Sequence, residues 1–192
     1  MLTSKERIYL QYQPNEEALS QLLHWQKRAT QANPQGRPVQ QDRLHVTVIH
    51  FGIAADVFRE LSQQNSKLIW SDFTKSAKQF IETSEAALPA EVAVQPTKLE
   101  FFGYRSSVLA LTVMPDQALI QAHKAALANL NSFLKSCGIS YPVPFMQGSL
   151  NLRYALTLSP HISLIKAARH IPDDFPSSLP ELQFKVMPVR YS

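Results

Sequence analysis

Over residues 7–12 the side chains alternate, with Ile8, Leu10 and Tyr12 on one side, the period-two pattern of a strand with one buried face. Pro14 and Asn15 interrupt it. Asn15 offers an N-cap, Glu16 and Glu17 suit a first helical turn, and Leu19, Leu22, Leu23 and Gln26 recur at helical spacing to about Gln31. The stretch ANPQGRPVQQ predicts a loop. LHVTVIHF, residues 44–51, predicts a strand ended by Gly52. In regular alternation it sets Leu44, Val46 and Val48 on one face and His45, Thr47 and Ile49 on the other, with His50 turned away from His45.

The second half repeats the order. Residues 107–114 are rich in Val and Leu and predict a strand. Pro115 and Asp116 open a helix whose apolar positions are Leu119, Leu127, Leu130, Leu134 and Cys137, with Gly138 just past its end. A Pro- and Gly-containing stretch, residues 139–160, predicts a long loop before PHISLIKA. Between the copies lie a helical region at 71–87 and a strand at 97–103, and a last strand is expected at 182–191. Strand, long helix, loop, strand thus occurs twice. This predicts an α+β chain of two similar lobes forming one domain over residues 1–192, since no low-complexity linker divides it.

The composition removes several classes. With 45% hydrophobic and 18% charged residues in 192, the chain is globular rather than disordered or fibrous. No apolar run approaches the ~20 residues of a membrane helix. The start MLTSKERIYLQYQ lacks the apolar block of a secretion signal, so a cytoplasmic location and no membrane partner are expected. Cys137, the single cysteine, excludes an internal disulfide framework, and a buried structural thiol is expected. The net charge of +4 is scattered and does not by itself establish nucleic-acid binding. A Gly-rich phosphate loop, a GxSxG elbow and paired-cysteine metal spacing are all missing from the sequence.

The two strands carry the same polar message. HVTV at His45 and HISL at His161 each place an imidazole and, two residues on, a small hydroxyl on one face of an apolar strand. If the lobes pack about a pseudo-twofold axis, two imidazoles and two hydroxyls converge in one cleft. Imidazole titrates near neutrality, so one can accept a proton while the other donates. Hydroxyls can hold the non-bridging oxygens of a phosphate as charge develops there. Together these groups describe in-line cleavage of a phosphodiester.

In these two motifs, and in the flanks RLHVTVIHFG, EFFGYRSSVLALTV, SPHISLIK and FKVMPVRYS, the chain resembles the 2H phosphoesterases, the LigT-like group of 2′-5′ RNA ligases and cyclic phosphodiesterases. The resemblance spans essentially the whole chain. It implies a bilobal fold with an antiparallel sheet and outer helices in each lobe and a cleft between. It also implies chemistry without cofactor or metal on 2′,3′-cyclic or 2′-5′-linked phosphodiesters. His45 and His161 become the catalytic pair, Thr47 and Ser163 the phosphate-binding hydroxyls, and RNA ends or small cyclic nucleotides the substrates of a monomer with no obligate protein partner. A non-catalytic module binding RNA or nucleotide in the same cleft is the alternative. The second motif carries Ser where Thr is more usual, and the central segment reads FFGYR rather than an FFPxP-like form.

Four further residues are candidates for substrate contact: Arg105, Arg153, Tyr154 and Phe51. Arg105 follows the strand ending at Gly103; Arg153 and Tyr154 lie in the loop before the second motif; Phe51, like Phe102 and Tyr104, could stack a base. His123, on the apolar face of the second helix, is expected to be structural.

Overall fold

Two of the three longest helices start where a side-chain cap waits for them. In the computed structural model, which describes residues 2–176 and 178–187, strand β1 (Arg7–Pro14) is followed by Asn15. Its side chain accepts from the Ala18 amide at 2.8 Å and opens helix α1 (Glu16–Gln31). After a short β2 (Arg37–Pro38) come the first motif strand β3 (Val46–Ile53), then α2 (Ala54–Gln64) and α3 (Trp70–Ala87). The hairpin β4 (Glu91–Phe102) and β5 (Val108–Pro115) leads to Asp116, which caps α4 (Gln117–Ser136) by accepting from the Leu119 amide at 2.7 Å. Then follow α5 (Pro142–Gly148), the second motif strand β6 (His161–Lys166) and β7 (Leu182–Met187). Residues 188–191 of the expected last strand lie outside the described residues.

Four elements differ from the sequence reading, the two-residue β2 inside the expected ANPQGRPVQQ loop among them. Helix α2 starts directly after β3, with Ile53 at its N-cap making no side-chain bond, so the usual entry signal is missing; its stripe of Ala54, Val57 and Leu61 is nonetheless buried. Helix α5 forms inside the expected loop because Pro142 stands in its first turn, where a missing N–H costs nothing. Strand β4 begins at Glu91 rather than 97. Val92, Val94 and Pro96 alternate inward, and Pro96 is accommodated by a register shift before Lys98.

All seven strands form one antiparallel sheet in the order β2-β6-β5-β4-β7-β1-β3. Outward from the central β4–β7 pair, β5 and β6 on one side match β1 and β3 on the other. These are the two pseudo-symmetric lobes. Helix α1 follows β1 yet lies against β6 and β7, and α4 lies against β3 as well as β4 and β5, so each long helix reaches the other lobe's motif strand. Although they are near opposite ends of the strand order, β3 and β6 touch. The sheet therefore curls, and a cleft opens between the motifs.

The core behind β3 is aromatic. Phe51 is fully buried, with its ring centre 5.2 Å from Phe133, 5.6 Å from Phe80 and 6.5 Å from Phe73. Such rings attract beyond their area burial. No helix among the described residues is long and apolar enough to cross a membrane.

Candidate active site

The two motif strands share an irregularity at the same motif position. Thr47 pairs with Gln11 and Ile49 with Leu10, so Val48 is bulged out of β3. Ser163 pairs with Ala110 and Ile165 with Leu109, so Leu164 is bulged out of β6. In each motif the extra residue directly follows the hydroxyl. A bulge twists its strand and reverses the facing of everything beyond it. At Leu164 the buried carbonyl is captured by the Val39 amide and by Nε2 of Gln26, both at 2.9 Å, and the same Gln26 amide also reaches the Val39 carbonyl at 2.8 Å.

The imidazoles are held alike. Nδ1 of His45 lies 2.8 Å from the Arg43 carbonyl and Nδ1 of His161 lies 3.0 Å from the Ser159 carbonyl, in each case two residues back along the chain. A carbonyl only accepts, so Nδ1 carries the hydrogen, and Nε2 is the atom left to exchange a proton. Burial lowers the His45 pKa from its ordinary 6.5; the Arg43 carbonyl opposes this, and the charge of His161 lowers it further. The two rings are thus near enough for their charges to be felt. Thr47 and Ser163 are half-buried on the same faces, and among the described residues neither hydroxyl has a partner.

The bulges decide what surrounds this pair. Regular alternation turns His50 away from His45. The extra residue at Val48 reverses this: His50 pairs across the sheet with Tyr9, and the Tyr9 ring centre lies 5.3 Å from His50 and 6.2 Å from His45. The same reversal carries Phe51 to the other side, into the aromatic core, so its ring has no face for a base. The expected substrate contact at Phe51 is therefore corrected, as is the facing of His50. Gln11, opposite Thr47 and only 6% exposed, was not foreseen, since a Gln within an alternating strand gives no signal. On the other lobe, Phe102 lies against His161.

The remaining candidates lie on turns. Arg105 is exposed at the β4–β5 turn in left-handed conformation (φ 57°), three residues past Phe102. Arg153 and Tyr154 are exposed on a turn that packs against β3; Arg153 donates to the Tyr154 hydroxyl at 2.9 Å and its guanidinium sits 4.8 Å above that ring. That turn comes close because Gly52, at φ +114° within β3, has no side chain: a Cβ there would stand 3.1 Å from the Asn151 side chain. His123 is buried and bonded to the Ala155 carbonyl at 2.9 Å. Among the described residues no group of three or more His, Cys, Asp or Glu is placed to hold a metal ion. A cavity of about 650 Å³ lies between α2, the end of α4 and α5, and none of the motif residues lines it.

No protein-family model matches the chain. No curated protein matches it either. Solved structures do. Apo LigT of E. coli superposes with a TM-score of 0.56 at 17% identity over 98% of both chains. TT0787 of Thermus thermophilus gives 0.55 at 14% identity over 96% of this chain and 97% of that one. E. coli LigT complexed with 3′-AMP gives 0.51 at 16% identity over 97% of both. At such identities the likeness is one of fold: the chain has the LigT-like α+β fold over nearly its whole length, as its resemblance to the 2H phosphoesterases implies.

Proposed function

We propose that the protein is a 2H-type phosphodiesterase that cleaves 2′,3′-cyclic or 2′-5′-linked nucleotide phosphodiesters without a metal ion. His45 is the general base. Burial favours its neutral form, and its Nε2 takes a proton from water as the water oxygen bonds to phosphorus. His161 is the general acid, whose Nε2 gives a proton to the ribose oxygen as the bond from that oxygen to phosphorus breaks. Thr47 and Ser163 donate to the non-bridging oxygens, which gain charge in the transition state. In the ligating direction a 5′-hydroxyl takes the place of water: its oxygen bonds to the phosphorus of a 2′,3′-cyclic phosphate as its proton passes to one imidazole, and the bond to the 3′-oxygen breaks as that oxygen takes a proton from the other.

One observation carries this reading: two imidazoles from near opposite ends of a curled sheet, each with Nδ1 fixed on a backbone carbonyl, each followed by a hydroxyl without a partner among the described residues, and near enough to interact. The fold it shares with LigT, a protein crystallised with 3′-AMP and with phosphate, supports a nucleotide phosphate in the cleft. The test is turnover of a 2′,3′-cyclic nucleotide in the presence of EDTA. Turnover that survives chelation supports the reading. Binding without turnover would make the cleft a recognition module, and loss of activity on chelation would point to a metal-bound hydroxide.

A further inference from the structure

Beyond His45, the β1–β3 end of the cleft carries a second group of side chains with no part in the proton transfers. Tyr9 and His50 are cross-strand partners on the cleft face, 5.3 Å between ring centres, and Tyr9 is half-buried. Arg7 stands two residues before Tyr9 on the same face, exposed, with Nη1 3.4 Å from the Tyr9 hydroxyl. Among the described residues no carboxylate pairs with Arg7. Its charge is felt at His50, where it adds to burial in lowering the imidazole pKa. An aromatic face beside a guanidinium and an imidazole is what a nucleotide asks for: the ring stacks a base, and the cation meets a phosphate.

Resting on the function proposed above, we propose that Arg7, Tyr9 and His50 form a subsite for the nucleotide on the far side of the scissile linkage, so that the substrate is a 2′-5′-linked dinucleotide or longer chain rather than a mononucleoside cyclic phosphate. The cleft has two aromatic flanks: Phe102 on the His161 side and Tyr9 on the His45 side. A cyclic mononucleotide has one base and occupies one flank. A dinucleotide centred on the two imidazoles has a base for each.

The test compares kcat/KM for a 5′-phosphorylated 2′-5′-linked diadenylate with that for 2′,3′-cyclic AMP, in the wild type, Tyr9→Leu, Tyr9→Phe and Arg7→Gln. Loss of one stacking base lowers kcat/KM on the order of 5- to 100-fold. Tyr9→Leu is expected to lose about that factor on the dinucleotide, and at least fivefold more than on cyclic AMP. Tyr9→Phe, which keeps the ring, should recover most of the loss. Arg7→Gln, an exposed change that spares the core, should raise KM for the dinucleotide and flatten its dependence on salt. Equal losses on both substrates, or a wild type that turns over cyclic AMP alone, would overturn the subsite while leaving the phosphodiesterase intact. A wild type inactive on both would overturn the function itself.

Discussion

The ring of Phe102 lies flat on the imidazole of His161, with centroids 4.5 Å apart and planes 10° from parallel. The hydrogen bond from Nδ1 to the Ser159 carbonyl fixes one edge of that imidazole, and the stack fixes its plane. Nε2 therefore has one direction in which to deliver a proton.

Phe102→Leu keeps apolar bulk and removes the stack. Aromatic pairs contribute about 0.5–1.5 kcal/mol beyond area burial, so the expected loss is at most roughly tenfold in kcat. The thermal midpoint should change little, and KM should rise for a substrate whose base stacks on that ring. Steady-state kinetics beside a melting curve check this; an unchanged kcat would mean the stack orients nothing.

Alanine at His45 or His161 should each lower turnover by about 10²–10⁴-fold, and the double variant by less than the product, because base and acid act in one step. Thr47→Val and Ser163→Ala should each cost about 1–3 kcal/mol in transition-state binding, that of an anion short of one donor. Near-wild-type turnover in either histidine variant would refute a two-histidine mechanism.

The pH profile follows from His45. Its pKa is held below 6.5, by burial first and by the charge of His161 in addition, and only the neutral ring can act as base. Activity is lost as pH falls through that lowered value, so the acid limb of kcat/KM lies below 6.5. Stability has the same sign. Below 6.5 the unfolded chain takes up protons that folded His45 and His50 resist, so ΔG of unfolding declines from 6.5 downward and is flat above it as far as these two groups are concerned. His50→Phe should shallow that decline in melting curves taken from neutral to mildly acid pH.

Gln26 ties α1 to the second motif. Its buried Nε2 holds the carbonyls of Val39 and of bulged Leu164. Gln26→Leu removes a donor from two buried acceptors and should destabilise the fold by about 1–3 kcal/mol. It should also lower kcat, as Ser163, the residue before the bulge, loses its fixed direction. Urea unfolding and kcat measured on the same variant test both parts.

Much of the fold was legible because its signals are local. Asn15 and Asp116 cap α1 and α4, and the apolar stripes of these helices run at helical spacing. HVTV and HISL each set a histidine and a hydroxyl on one strand face with no help from distant residues. The elements without a local signal were missed: α2, which enters without a cap, and α5, whose prolines read as loop until their place in a first turn is known.

What the tertiary structure alone decided is the facing of residues beyond the motifs. Period-two alternation assumes that each residue has a partner across the sheet. Whether Val48 pairs with β1 or bulges depends on the register of a strand far earlier in the chain. That unpaired residue, with a second register shift at Phe51, sets Phe51 in the core and brings His50 to Tyr9 in the cleft. The meeting of His45 and His161 is likewise a property of the curled sheet. Strands β6 and β3 stand second and last in the strand order, and no local pattern in either motif points to the other. The central β4–β7 pair joins both lobes into one surface, and α1 and α4 each reach across to the other lobe's motif strand.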